Sequence, residues 1–353
     1  MQIESLPLFF LLIFTVISFL LTLLVTKFSK LFFFKRLLDK DFKKPQAFHT
    51  HPITRSGGLS SILALATFLF SYYFLFNNLF LDYIVIAPAI FLLGFLDDIK
   101  INLNPSLRLI LMIFILSLGI FFFNIKLNNV ELIFLSSWLN NDIFNLIFIL
   151  LCFLFIINGA NLIDGFNGLL GIHLLLINSI LFFLNLYSFN FEFSFLLIAQ
   201  IIIILSFLIF NFPKAKIFLG DSGSYFFGTL TALNVIKTNN LNAEVSSFFF
   251  CIILFYLFFE VFFSFFRKIY LKKSPLRPDN MHLHMLSFNF LKKIRKLKDC
   301  NYLNSLALNS IYAMLVLPSF FFRNDGLICR YWFFTLILLY LLFYLRLYSF
   351  VKK

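Results

Sequence analysis

The chain alternates long apolar runs with short polar connections over almost its whole length. Runs of about 16–22 apolar residues have the length that an α-helix needs to cross the hydrocarbon core of a bilayer. We therefore predict an all-α polytopic membrane protein with about eleven transmembrane helices in a single domain over residues 1–353. The predicted spans are 5–26, 58–76, 80–96, 107–124, 143–160, 169–187, 193–212, 224–238, 245–266, 304–322 and 331–350.

The composition indicates the same class of protein. Hydrophobic residues make up 61% of the chain, charged residues make up 13%, and the mean hydropathy is +0.96, whereas soluble domains are about a quarter charged. The four cysteines share no metal-ligand spacing, so neither a disulfide framework nor a metal cluster is expected from them. No basic segment precedes the first apolar run and no small-residue cleavage site follows it, which favours a retained span over a secretory signal.

Lysine and arginine are distributed unequally between the two sets of loops. When loops are assigned alternately to two sides, the side that includes 27–57 holds 24 of the 29 basic residues and the opposite side holds four. Because basic loops stay in the cytoplasm, we predict that the heavily basic side is cytoplasmic, with the amino terminus outside and the carboxyl terminus inside. Ten of the twelve glycines also lie in or beside the basic loops. This concentration indicates a functional site that faces the cytoplasm.

The most unusual polar stretch is Asn158–Gly171, which interrupts apolar sequence with three asparagines, one aspartate and four glycines. Each unpaired polar group in hydrocarbon costs several kcal/mol, and each glycine weakens a helix by about 1 kcal/mol relative to alanine. The stretch is therefore predicted to be a hinge between two spans. Its polar side chains, Asn161, Asp164 and Asn167 among them, are predicted to gather at the membrane surface as part of an active site.

Two earlier loops carry groups that suit phosphates and cations. Arg55 precedes a pair of glycines at a helix start, where backbone N–H groups and the helix dipole favour an anion. The alternative is an ordinary basic flank followed by a turn. Asp97 and Asp98 are adjacent carboxylates at the end of a span, and they repel one another unless a cation or a proton lies between them. A solvated helix end is the alternative for this pair.

Two later loops complete the set of cytoplasmic polar segments. Asp221 lies in a Gly-Asp-Ser-Gly turn before a helix; carboxylates suit hard cations, and the N–H groups of such a turn suit phosphate oxygens. Phe218 offers a stacking face for a base, with lipid-facing packing as its alternative. His282 and His284 suit phosphate chemistry or a metal, although such a pair in a surface loop is more often simply solvated.

Together the loops offer carboxylates for Mg²⁺, arginine and backbone donors for phosphates, and an aromatic face for a base. Phosphoryl transfer depends mainly on positioning and charge neutralisation, which these groups provide. The combination predicts a nucleotide-diphosphate substrate that is handled at the inner membrane surface.

The five loops, in this order, resemble the polyprenyl-phosphate N-acetylhexosamine-1-phosphate transferases of glycosyltransferase family 4. That family includes enzymes that initiate O-antigen and teichoic acid synthesis and the peptidoglycan translocase that makes lipid I. The resemblance covers about residues 39–286 and leaves the two C-terminal spans, 304–350, outside it. The matching motifs are His49-x-x-Pro52-x-x-Arg55-x-Gly57-Gly58, Asp97-Asp98 with Pro105 and Arg108, Asn158-x-x-Asn161-x-x-Asp164-Gly165-x-Asn167-Gly168-Leu169, Phe218-x-Gly220-Asp221-x-Gly223-Ser224, and Arg277-Pro278-Asp279-x-x-His282-x-His284.

The resemblance implies transfer of a sugar 1-phosphate from a UDP-N-acetylhexosamine, UDP-GlcNAc in the favoured interpretation, to undecaprenyl phosphate with release of UMP. It implies Mg²⁺ as cofactor, with Mn²⁺ as a substitute, and a lipid bilayer as the setting. We expect a homodimer as the candidate assembly and no nucleic-acid partner. The implied site residues are Asp221 and Asn161 for the metal, Asp97, Asp98 and His284 for catalysis, and Arg55, Arg108, Asn161, Asp164, Asn167, Phe218 and His282 for substrate binding.

Three departures from the family pattern change details of this expectation. Asn167 stands where many members have Asp, Met285 replaces a frequent His, and residues 46–47 replace a frequent basic pair. A phosphate monoester has a second pKa of about 6 and is largely dianionic at pH 7, so the acceptor hardly requires a strong general base. We therefore expect Asp97 and Asp98 chiefly to position the acceptor and a cation.

Three alternatives remain open at this stage. Arg55 with its pair of glycines favours the surface-polysaccharide branch over lipid I formation, which is the nearest alternative. An ion-coupled transporter is the alternative from another class, because Glu260 lies about six residues inside the ninth span. Pairing of Glu260 with Arg267 or Lys268, or a position lining the site, would explain it without transport. A catalytically inactive scaffold is the third alternative, and the intact set of loop aspartates argues against it.

Overall fold

The protein is a bundle of α-helices joined by short connections. The computed structural model describes residues 2–28, 36–39, 51–101, 103–128, 130–274, 279–295 and 300–352. Within these ranges the helices are α1 (Gln2–Phe28), α2 (Gly57–Phe76), α3 (Leu81–Asp98), α4 (Pro105–Phe122), α5 (Ile133–Leu139), α6 (Asp142–Ile163), α7 (Leu169–Tyr187), α8 (Phe191–Asn211), α9 (Gly220–Leu241), α10 (Ser247–Ile253), α11 (Phe255–Tyr270), α12 (Leu283–Arg295), α13 (Asn301–Val316) and α14 (Gly326–Lys352). A 3-10 helix follows α13 at Leu317–Phe322, and two antiparallel strands, β1 (Leu38–Asp39) and β2 (Ile53–Thr54), pair before α2.

The predicted all-α membrane architecture is confirmed, and each of the eleven predicted spans coincides with helical structure. The exact number of eleven is not confirmed. In the described ranges, eight helices are long and apolar enough to cross a membrane, or nine if the pair α10 and α11, bent by 75° at its break, is one span. The two remaining predicted spans correspond to α3, which contains Asp82, Asp97 and Asp98, and to α9, which is rich in polar residues.

Helix α9 is weakly apolar because it lies in the centre of the bundle, where it is buried over most of its length. It packs against α3, α6, α2 and α7. Asn234 of α9 accepts hydrogen bonds from Tyr83 of α3 (2.9 Å) and Gln200 of α8 (3.2 Å), and it donates one to Asn178 of α7 (3.0 Å). Neighbouring helices thus satisfy the side chain of Asn234, as the interior of a membrane protein requires.

The amino-terminal end of α9 makes unusually close backbone contacts with α2 and α3. A Cβ atom on Gly94 of α3 would lie 2.5 Å from the carbonyl oxygen of Asp221, and a Cβ atom on Gly58 of α2 would lie 2.5 Å from the amide nitrogen of Gly223. Only glycine permits this approach. The predicted loop motifs that contain these glycines therefore share one packed junction.

Two of the motif loops also pair directly with one another through the backbone. Phe218 donates its N–H to Thr54 (2.8 Å), and its carbonyl accepts the N–H of Gly57 (2.8 Å). Gly58 donates to Leu219 (2.9 Å), and Thr54 forms a parallel bridge with Ile217. The segment before α2 and the segment before α9 consequently form one layer at the same end of the bundle.

Candidate active site

Asp221 occupies the first turn of α9 and keeps 28% of its side chain exposed. Asn161, near the end of α6, donates its amide nitrogen to Asp221 Oδ1 (3.2 Å) and to Ser224 Oγ (2.9 Å). The guanidinium of Arg108 lies 3.6 Å from the other carboxylate oxygen of Asp221. The structure thus brings together three residues that the sequence predicted for the site, from α4, α6 and α9.

Asp98 anchors the start of α9. Its Oδ1 accepts the N–H of Asp221 (3.0 Å), and its Oδ2 accepts both the N–H (2.9 Å) and the hydroxyl (2.6 Å) of Ser222. Gly220 has φ +78°, and a Cβ there would lie 2.6 Å from Asp98 Oδ2. A carboxylate in this position satisfies the first N–H groups of a helix and complements its dipole.

This arrangement gives Asp98 a structural role, and its predicted role in positioning the acceptor and a cation stays a prediction. The side chain is fully buried, and hydrogen bonds to the α9 terminus occupy both of its oxygens. The sequence indicated two equivalent carboxylates, but Asp97 and Asp98 point to different partners. Asp97 forms an ion pair with Arg108 and accepts a longer hydrogen bond (3.4 Å) from the N–H of Leu103.

The two predicted arginines both lie at the site, and each keeps 26% of its side chain exposed. Arg55 binds Asp39 through Nε (3.1 Å) and Nη2 (2.8 Å), and its Nη1 lies 3.6 Å from Asp98. Burial opposes its charge, but the carboxylates of Asp221, Asp39 and Asp98 raise the pKa of Arg55 above its ordinary value. The guanidinium therefore remains a fixed positive charge.

Arg108 connects two elements of the site. It bridges Asp97 at the end of α3 and Asp221 at the start of α9, and its guanidinium lies 5.7 Å from the ring centroid of Tyr225. Because the planar guanidinium has five donors, contacts with two carboxylates leave N–H groups for a further anion. The geometry therefore suits a phosphate bound between α3 and α9.

Asp164 follows the last residue of α6 and belongs to the same electrostatic cluster. Burial, together with the negative charge of Asp221, raises the pKa of Asp164 to about 7, while Arg55 opposes the shift. A carboxyl group whose pKa rises in this way favours a proton or a cation as its partner. The cluster thus contains more negative charge than its own arginines neutralise.

The donor set fits Mg²⁺ of the kind that is bound together with substrate phosphates. Mg²⁺ takes oxygen ligands and is commonly held by one or two carboxylates, with water and phosphate oxygens completing the shell. Asp221 supplies an accessible carboxylate, Asp164 supplies a second one nearby, and Asn161 supplies an amide. Among the described residues, no group of three or more acidic, His or Cys side chains is close enough to hold a metal by itself.

Asn167 and Phe218 lie in the loops beside this cluster. Asn167 donates its amide nitrogen to the carbonyl of Pro213 (3.0 Å), and its N–H donates to Asn301 of α13 (2.7 Å). These contacts give Asn167 a structural role in holding the turn after α6. Phe218 is half-buried, and its backbone is paired to the segment before α2.

The two predicted histidines are buried, so the solvated interpretation of the pair is wrong, and the substrate-binding role of His282 stays a prediction. The Nδ1 atom of His282 lies 3.1 Å from Glu260 and its Nε2 lies 3.2 Å from Asp279, so both nitrogens are occupied. Burial lowers the pKa of His284 to about 3, which keeps its imidazole neutral at pH 7. The catalytic role predicted for His284 stays a prediction.

The structure shows partners of Glu260 that were not predicted from the sequence. The expected pairing with Arg267 or Lys268 is wrong: Glu260 contacts His282 and the hydroxyl of Tyr340 (2.7 Å), while Arg267 binds Asp279 (2.9 Å). These contacts explain a carboxylate inside the ninth predicted span without ion transport. Other residues that sequence reasoning missed are Asp39, Ser222 and Asn301; His49, Arg277 and Pro278 of the motifs lie outside the described residues.

Comparison with known proteins agrees with this geometry. Residues 80–239 match the family model of glycosyl transferase family 4. An undecaprenyl-phosphate alpha-N-acetylglucosaminyl 1-phosphate transferase from Thermotoga maritima is 29% identical over 299 residues, which are 83% of this chain and 85% of that protein. A probable undecaprenyl-phosphate N-acetylglucosaminyl 1-phosphate transferase from Bacillus subtilis is 29% identical over 56% of this chain and 55% of that protein.

A second type of relative matches a shorter region. A phospho-N-acetylmuramoyl-pentapeptide-transferase from Dictyoglomus thermophilum is 34% identical over 195 residues, or 51% of this chain and 59% of that protein. The region that matches the family model, residues 80–239, contains Asp98, Asn161 and Asp221. The chain is thus similar to glycosyl transferase family 4 over residues 80–239, and over most of its length it is similar to an undecaprenyl-phosphate alpha-N-acetylglucosaminyl 1-phosphate transferase.

Proposed function

We propose that the chain transfers N-acetylglucosamine 1-phosphate from UDP-N-acetylglucosamine to undecaprenyl phosphate, releasing UMP and initiating a cell-surface polysaccharide such as O-antigen. The observation that carries the proposal is the convergence of Asp221, Asp164 and Asn161 with Arg55 and Arg108 at one end of the bundle. An accessible carboxylate cluster flanked by two arginines suits a diphosphate that arrives with a divalent cation.

In the reaction, an oxygen of the acceptor phosphate attacks the β-phosphorus of the UDP-sugar, and the bridging oxygen departs with UMP. Asp221 and Asn161 would hold Mg²⁺, with Asp164 beside them. When bound, Mg²⁺ supplies positive charge that offsets the charge of the diphosphate oxygens. Arg108 is placed to bind phosphate oxygens between α3 and α9, and Arg55 extends the positive surface toward α2.

The protein needs no strong base for this step, because a phosphate monoester with a second pKa of about 6 is already largely dianionic at pH 7. Asp97 orients Arg108, and Asp98 fixes the turn on which Asp221 is carried. The neutral His284 is consistent with a positioning role. Phe218, half-buried at the edge of the same layer, is assigned to stacking on the uracil.

The setting of the proposed reaction is the cytoplasmic face of a bacterial inner membrane, with the amino terminus in the periplasm. The excess of basic residues on the side of the motif loops supports this orientation. A donor made in the cytoplasm and an acceptor held in the bilayer would meet there.

The choice between the two donor classes is tested with purified protein and undecaprenyl phosphate. UDP-N-acetylglucosamine and UDP-N-acetylmuramoyl-pentapeptide are supplied separately, and UMP release and the mass of the lipid product are measured. We expect turnover with UDP-N-acetylglucosamine. Turnover of the pentapeptide donor alone would replace the proposal with lipid I formation, the function that the Dictyoglomus relative's name states.

A further inference from the structure

A buried hydrogen-bonded cluster lies next to the proposed site and has no part in the mechanism above. It consists of Glu260 and Arg267 of α11, Asp279 and His282 in the segment before α12, and Tyr340 of α14; we call it the Glu260 cluster. Glu260 and Tyr340 lie outside the region that matches the family model, residues 80–239. The match to the family model therefore does not account for these two residues.

Glu260 is almost completely buried, and both of its oxygens are used. Its Oε1 accepts from His282 Nδ1 (3.1 Å) and from the N–H of Leu283 (3.2 Å), and its Oε2 accepts from the hydroxyl of Tyr340 (2.7 Å). A buried carboxylate is tolerated when it is hydrogen-bonded and paired in this way. Glu260 thus joins α11, the start of α12 and the last helix at a single point.

The imidazole of His282 lies between two carboxylates. Its Nδ1 faces Glu260 and its Nε2 lies 3.2 Å from Asp279, which also accepts two hydrogen bonds from Arg267 (3.1 and 2.9 Å). Both ring nitrogens of His282 thus lie within hydrogen-bond distance of a carboxylate oxygen, and these two contacts fix the orientation of the ring.

The Glu260 cluster is connected to the proposed site through His284. The rings of His282 and His284 are stacked, with centroids 5.5 Å apart and an interplanar angle of 2°. The ring of His284 meets the ring of Phe166 edge to face at 5.9 Å, and Phe166 lies in the turn between Asp164 and Asn167. A displacement of His282 would therefore be passed to the turn that carries Asp164.

The last helix secures the cluster from the other side. Besides the contact of Tyr340 with Glu260, the hydroxyl of Tyr344 donates to the carbonyl of Met281 (3.0 Å), directly before His282. The Tyr344 ring also lies under the guanidinium of Arg267 at 5.9 Å. Helix α14 thus holds both the carboxylate of Glu260 and the backbone directly before His282.

We propose that Glu260 is a positioning residue of the enzyme, that Tyr340 holds its carboxylate from the last helix, and that Tyr344 holds the backbone before His282. Glu260 fixes His282, His282 fixes His284, and His284 fixes the turn that carries Asp164. The inference rests on the proposed transferase function for its kinetic consequences only. Its structural consequence, the order of the turn at 164–168, can be measured without turnover.

The kinetic test compares Glu260→Gln and Tyr340→Phe with two matched controls. Glu131→Gln changes a partly buried, hydrogen-bonded glutamate in a different connection, and Tyr83→Phe removes a buried hydroxyl about 22 Å along α3 from Asp98. We expect kcat to fall about 10- to 100-fold in the two cluster variants, because small displacements of catalytic groups have effects of that size. The KM for the UDP-sugar should change by less than about threefold, and both controls should retain wild-type kcat.

The structural test is amide hydrogen exchange of residues 163–170 in the same proteins, without substrate. The amides of Gly165, Asn167, Gly168 and Leu169 are all hydrogen-bonded, so their protection is measurable. We expect about tenfold faster exchange there in Glu260→Gln and Tyr340→Phe, and no change in the controls. Unchanged exchange in both cluster variants would overturn the proposal, whatever their kcat.

The two proposals fail in distinguishable ways. If the wild type releases no UMP, the transferase proposal fails, while the exchange experiment still decides the positioning role. If Glu260→Gln does not fold, Tyr340→Phe decides, because it removes a single hydroxyl. Wild-type kcat and wild-type exchange in Tyr340→Phe would then contradict the role assigned to α14 and to Glu260.

Discussion

At the scale of single residues, the carboxylates of the site differ in the groups that surround them. Asp98 is buried beneath the first turn of α9 and accepts three hydrogen bonds from Asp221 and Ser222. Asp221 keeps 28% of its side chain exposed and faces Asn161 and Arg108. The first carboxylate is placed to build the site, and the second is placed to bind a ligand.

This difference predicts the behaviour of Asp98→Asn. An amide has only one accepting oxygen. A donor at the α9 terminus would therefore face the NH₂ group of the new side chain, which cannot accept its hydrogen bond. We expect a loss of about 1–3 kcal/mol in stability, measured by thermal or denaturant unfolding, together with a large loss of activity at pH 7. Asp142→Asn is the control, because Asp142 is highly exposed and pairs with Lys126 in a distant loop.

A general-base role for Asp98 would give a different result. The variant would then keep wild-type stability and would recover activity substantially between pH 7 and pH 9. That recovery would contradict the structural role assigned to Asp98.

Asp164 predicts how stability depends on pH. Burial and the charge of Asp221 raise its pKa to about 7 in the folded protein, whereas the unfolded value is about 3.9. The folded state therefore favours the protonated form of Asp164. The stability that this group contributes is complete below about pH 4 and is lost as the pH rises through about 7. We expect the metal-free protein to lose stability over this window, measured as Tm, and Asp164→Asn to lose less of it. An equal slope in wild type and variant would contradict the shifted pKa.

The sequence predicted the gathering of the site residues well and their individual partners poorly. Charged and glycine-rich loops on one face of a bundle must lie close together, so Arg55, Arg108 and Asp221 could be assigned to one site. Whether a side chain binds substrate depends on contacts with residues distant in sequence. His282 illustrates this limit, because Glu260 and Asp279 occupy its two nitrogens.

At the scale of helices, α9 shows where hydropathy underestimates a buried element. Its sequence predicted a short span at 224–238, and the helix runs from Gly220 to Leu241. Hydropathy measures preference for lipid, but α9 is surrounded by other helices, and polar side chains such as Asn234 are hydrogen-bonded to them. The break between α10 and α11 was not predicted either, because Ile253-Leu254-Phe255 contains neither glycine nor proline. Tertiary packing determines both features.

The contact between α3 and α9 predicts the effect of Gly94→Ala. The added Cβ would lie 2.5 Å from the backbone oxygen of Asp221, so α3 must move away from the turn that carries the site. We expect a loss of about 1–3 kcal/mol in stability and a large loss of activity, measured by unfolding and UMP release. Gly119→Ala is the control, because its Cβ meets only the side chain of Ile86. Equal effects of the two substitutions would contradict a special role for the α3–α9 junction.

At the scale of the whole molecule, the unequal distribution of charge and the position of the site agree. The motif loops and most of the basic residues belong to the same side of the bundle, and the chain carries a formal net charge of +13. Basic loops orient a membrane protein and also attract anionic lipids and substrates. We therefore predict that the site faces the cytoplasm.

Cysteine labelling tests this orientation. In a cysteine-free background, Lys273→Cys on the basic side and Asn128→Cys on the opposite side introduce single exposed thiols. A membrane-impermeant maleimide should label Asn128→Cys in intact cells and Lys273→Cys only after permeabilisation. The reverse pattern would contradict the orientation and would move the site to the periplasm.

The central claim is that Asp221 organises a Mg²⁺-assisted transfer of a sugar 1-phosphate to a polyprenyl phosphate. The most direct measurement is UMP release by the purified protein from UDP-N-acetylglucosamine and undecaprenyl phosphate, with Mg²⁺ and after its removal by a chelator. We predict release with Mg²⁺, none without it, and a loss of at least about 100-fold in Asp221→Asn but not in Asp142→Asn. Release that is independent of both Mg²⁺ and Asp221 would contradict the account.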